Sequence, residues 1–72
     1  MKLNEAKTLK KGDLVIYDKR NTKYGGLIFE IEKIDESPEG DYYGRVTLKQ
    51  PGFNSDFRLV FVNTQMLMKY ES

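Results

Sequence analysis

Tyr43, Arg45 and Lys49 fall at odd positions of the run Tyr42–Gln50, and Arg58 lies in the next apolar run. If both runs are strands, the first three side chains share one face, because successive strand residues point to opposite sides. Guanidinium and ammonium groups beside a tyrosine ring can hold an anion, either an acidic protein surface or the phosphate of a stacked nucleotide. Tyr24, Tyr42 and Phe53 lie in loops or at strand ends, where small domains present binding residues. Tyrosine suits such a place because it buries area while keeping a polar tip.

Asp35, Glu36, Glu39 and Asp41 form the other cluster, set around Ser37-Pro38 and Gly40. Their spacing does not match a calcium loop, and beside proline and glycine they read as a solvated acidic turn. Catalytic readings fail mostly by subtraction. The chain has no histidine and no cysteine, so it lacks the Ser–His and Cys–His nucleophile pairs and the usual zinc ligands. Gly25-Gly26 has no Gly-Lys-Ser/Thr continuation that would cradle a phosphate. The expectation is a protein that is not an enzyme and needs no cofactor.

Seventy-two residues make one domain at most. With 12 basic against 11 acidic residues the net charge is +1. No global field therefore draws the chain to nucleic acid or lipid, and nucleic-acid binding is expected to be weak. No apolar run reaches the length of a leader or a membrane span, and cysteine is lacking. These point to a soluble, cytoplasmic protein with no membrane partner.

The elements that must position these residues are short. Residues 1–8 are a mostly polar lead-in or one loose turn. Gly12-Asp13 then launches the β-branched and aromatic Leu14-Val15-Ile16-Tyr17 as a first strand, Val15 and Tyr17 inward. Asp18–Gly26 is a polar loop carrying Tyr24. Phe29 and Ile31 alternate with Glu30 and Glu32 in a second strand over Leu27–Ile34, and Ile34 breaks that parity, which places a bulge near Lys33. Strand three is Tyr42–Gln50 with Val46 and Leu48 inward. Phe57–Val62 is strand four; Leu59 and Phe61 are the favoured inward pair, and if Val60 and Val62 are the core pair instead, Arg58 leaves the face. Asn63-Thr64 caps a helical turn before a short last strand, Met68–Tyr70.

This order predicts an all-β fold: a five-stranded barrel over residues 9–70 with one short helical turn before the last strand. It resembles SH3-like barrels of the Tudor and KOW type, which often begin with a run like Lys10-Lys11-Gly12-Asp13-Leu14-Val15. The resemblance is architectural, implies a binding module, and carries no catalytic residues over. An OB-like barrel is the alternative, disfavoured because so short a chain leaves little room for a helix between strands three and four.

Aligning the inward residues sets Glu32 opposite Arg45, Glu30 opposite Thr47, and Lys49 opposite Arg58. The last is a basic pair with no acidic partner. Tyr17, Phe29 and Phe61 are assigned to the core. The leading expectation is a non-catalytic module that binds another protein through Tyr24, Tyr42, Tyr43, Arg45, Lys49, Phe53 and Arg58. The alternatives are a nucleic-acid-binding barrel using the basic and aromatic face, and a subunit that pairs with itself through open strand edges. Such a chain would suit an accessory protein of a virus, a phage or another mobile element.

Overall fold

The computed structural model describes residues 1–52 and 55–70. Five antiparallel strands form one sheet: β1 (Leu14–Tyr17), β2 (Ile28–Glu36), β3 (Arg45–Lys49), β4 (Arg58–Asn63) and β5 (Leu67–Lys69). Their order is β4-β3-β2-β1-β5, so β4 and β5 are the two edges and the sheet does not close into a ring. The expected barrel is thus an open five-stranded sheet. A 3-10 turn, Thr64–Met66, joins β4 to β5. Asn63 caps it, its side-chain oxygen accepting from the Gln65 N–H at 2.8 Å, so the expected helical turn and its cap are both present.

The core is Val15, Phe29, Ile31, Val46, Leu48 and Leu67, with Tyr17, Ile34, Leu59 and Val62 packed against it. Within residues 1–8 the expected single turn is present and packs against the sheet. Leu3–Ala6 is a single helical turn whose Ala6 is 2% exposed, and Met1 and Leu9 pack on the core.

Strand parity fails at three points, each with a physical reason. Two lie in β2. Ile31 faces Leu48 but Lys33 faces Thr47, and Ile34 faces Val46 but Glu36 faces Arg45, so Glu32 and Asp35 are extra residues. The bulge expected near Lys33 is the first of these. The third lies in β4, where Leu59 faces Leu48 and Val62 faces Val46. Thr47 alone then spans Val60 and Phe61, and the surplus residue must leave the ladder. Phe61 does so by adopting φ 58°, the left-handed region that a bulky residue rarely enters. The residue is 57% exposed. The assignment of Phe61 to the core is therefore corrected: Leu59 is inward as expected, and Val62 takes the second place.

Gly44 ends the β2–β3 connection with φ 88°. A Cβ there would sit 2.5 Å from the Glu36 carbonyl oxygen, so only glycine fits. It also breaks the alternation before β3, and Tyr43 falls outside the strand. The turn itself is Glu39-Gly40-Asp41-Tyr42, closed by reciprocal backbone bonds of 2.8 and 3.0 Å, with only Gly40 at positive φ. That is the pattern of a II′ hairpin turn.

Leu48 touches both sheet neighbours and is fully buried. Leu48→Ala is expected to cost about 2–5 kcal/mol, enough to unfold much of so small a domain. Urea denaturation followed by circular dichroism reads this; a midpoint equal to that of the parent chain would show that β3 does not anchor the core.

Candidate functional site

The bulges in β2 decide how the outer face is wired. Glu30 stays in register opposite Lys49 and pairs with it at 3.5 Å. Glu32, pushed out of register, reaches across β3 to pair with the Arg58 guanidinium. Asp35 accepts a hydrogen bond from the Thr47 hydroxyl at 2.7 Å and pairs with Lys33 at 3.5 Å. Lys49 and Arg58 do face each other as expected, but each has its own acid, so they are no vacant anion site. The expected pairings of Glu32 with Arg45 and Glu30 with Thr47 are likewise replaced. Thr47, though on the outward side, is only 3% exposed.

Beyond Thr47 the ladder of paired charges stops at Arg45. Glu36 lies opposite it in register, yet among the described residues Arg45 makes no ion pair. Its guanidinium instead lies between two rings, 5.7 Å from the centre of Tyr42 and 5.5 Å from that of Phe61. One terminal nitrogen is buried without a hydrogen-bond partner. Cation–π contacts of this kind are worth about 0.5–1 kcal/mol when exposed and more when water is excluded. Tyr42, Val60 and Phe61 are all exposed large apolar residues, at 39%, 69% and 57%. The bulge that ejects Phe61 thus also completes the clamp on Arg45.

The remaining expected site residues are dispersed. Tyr24 is half-buried, with its ring 5.8 Å from Tyr17 and 6.2 Å from both Phe29 and Phe57. It belongs to an aromatic cluster that plugs the end of the sheet near the β1–β2 loop. Tyr43 is held by its backbone, its carbonyl accepting from the Thr64 hydroxyl, and does not share a strand face with Arg45. Phe53 lies outside the described residues. The single patch of Tyr43, Arg45, Lys49 and Arg58 therefore dissolves into a neutralised ladder and the Tyr42–Arg45–Phe61 clamp.

Among the described residues no cluster of acids is placed to hold a metal ion, and no helix is long and apolar enough to cross a membrane. Asp18 stands apart electrostatically. Side-chain and backbone hydrogen bonds from Arg20 hold its carboxyl down to about 2, against an ordinary value of 3.8. The two side chains sit 2.6 Å apart at the start of the loop that carries Tyr24.

Two outcomes follow from this wiring. Lys49→Gln and Arg58→Gln should each lower stability by at most about 1 kcal/mol, with the deficit shrinking in salt, because half-exposed pairs are weak and screened. Denaturation at low and high salt reads it, and a gain in stability would restore the vacant basic pair. For Asp18 the depressed folded-state value means its contribution is complete above about 3.8 and lost as pH falls through about 2. Carboxyl-detected NMR should find its midpoint near 2, and Arg20→Ala should return it toward 3.8; a midpoint that ignores the substitution would contradict the pairing.

Comparison of the chain with family models, curated proteins and solved structures gives no match, so its functional reading rests on the geometry around Arg45.

Proposed function

We propose that the chain is a non-catalytic binding module that engages a protein surface through Tyr42, Arg45, Val60 and Phe61. One observation carries the reading. A phenylalanine is held at φ 58° and 57% exposed, with an arginine stacked beneath it. Strain at a bulky residue costs of order 1–3 kcal/mol and is characteristic of sites that do something other than stabilise the fold. Tyrosine, arginine and phenylalanine are also the residues enriched where protein interfaces are tightest. Stacking fixes Arg45 before any partner arrives, so little side-chain entropy remains to be lost on binding. The ion pairs at Lys49 and Arg58 weigh against the nucleic-acid alternative, because phosphate would have to displace two carboxylates.

A photo-crosslinking phenylalanine analogue in place of Val60, irradiated in the cell that makes the protein, tests this. The expected result is a discrete protein adduct that is absent when the analogue replaces Lys11, away from this face. Adducts to nucleic acid alone, or no protein adduct from position 60, would overturn the reading.

A further inference from the structure

Resting on that reading, the geometry points to a second copy of this chain as the partner, joined head to tail. The clamp is an apolar knob on the β4 side of the sheet. Its neighbours Glu36, Glu39 and Asp41 are exposed and make no ion pair among the described residues. On the other edge, beside β5, a groove of about 450 Å³ is lined by Met1, Lys2, Glu5, Met68 and Lys69. Two of its five lining residues are methionines, flexible side chains that adapt to an aromatic ring. Lys2 and Lys69 stand at it without acidic partners among the described residues.

The two surfaces are complementary in sign and in detail. The knob carries an acidic surround with one cation, Arg45; the groove carries two lysines with one anion, Glu5. The aromatic knob would meet the two methionines of the groove, with opposite charges around them, the usual anatomy of a specific interface. A standard interface takes about 800 Å² from each partner, roughly a sixth of the 4866 Å² surface of this chain. Strand-to-strand pairing is disfavoured at both edges, since β4 is interrupted by its bulge and β5 is three residues long. Side chains must therefore make the contact. Because knob and groove are different surfaces, the interface is heterologous, and each copy offers a free knob and a free groove to the next.

Light scattering coupled to gel filtration, over a range of concentrations, tests this with two variants. Phe61→Asn removes the knob with a residue that tolerates the left-handed backbone. Met68→Glu blocks the groove at a residue already 42% exposed, and Lys69→Glu repeats the block by charge reversal should the first variant unfold. The parent chain is expected to grow in mass with concentration, less so at high salt, and each variant alone to weaken association about tenfold or more. Mixed one to one, the two variants should form a dimer and nothing larger, because only one knob and one groove remain competent. Association of the parent chain without rescue in the mixture would mean that like surfaces meet, and would overturn the head-to-tail arrangement. A parent chain that stays monomeric while the position-60 crosslinker captures a different protein would overturn the self-partner and leave the binding module standing.

Discussion

A mismatch of one residue between two strands governs this structure. Val46 and Leu48 are two positions apart and both must reach the core, whereas their β4 partners, Val62 and Leu59, are three apart. A ladder cannot absorb that difference by stretching, since each residue advances a strand by about 3.3 Å. It absorbs the surplus by ejecting a residue. Phe61 is that residue, and its positive φ is the geometric consequence. From this one step follow the exposure of the ring, the shielding of Arg45 and the interruption of the β4 edge.

The same device is used twice in β2 to opposite effect. There the surplus residues are acidic, and displacing them carries Glu32 to Arg58 and Asp35 to Thr47. Glu30 precedes the first bulge and stays opposite Lys49 whatever follows, whereas the displaced Glu32 supplies the acid for Arg58. The outer face is internally neutral along most of its length and becomes apolar and aromatic only near Arg45. Bulges thus separate a charge-paired part of the face from an exposed aromatic part.

How much of this was legible in the sequence differs by residue. The strand from Leu14 to Tyr17 was readable to its ends, because a glycine–aspartate turn precedes it and a polar loop follows. The bulge near Lys33 was also visible, since Ile34 is an apolar residue on the wrong parity. The β4 bulge was not. Leu59, Val60, Phe61 and Val62 are all apolar, so every register satisfies the pattern equally, and period-two reasoning has nothing to hold on to. Once parity is lost at one residue, every later face assignment inverts, and a regular register puts Phe61 inside. The ion partners of Lys49 and Arg58 were hidden for the same reason: cross-strand neighbours can be read only when both registers are known. Tyr42 and Arg45 lie where a turn meets a strand, upstream of the β4 bulge in the chain, so their placement does not depend on the β4 register.

Stability of Phe61→Gly tests the central claim most directly. An exposed phenylalanine in the left-handed region gives up a cation–π contact on this change and adds chain entropy to the unfolded state, but it also loses backbone strain of similar size. The net change should lie within about 1 kcal/mol of the parent chain by urea denaturation. A phenylalanine in the core would instead lose about 3–5 kcal/mol. A loss of that size at position 61 would contradict the bulge, and with it the clamp on Arg45 and the site built on them.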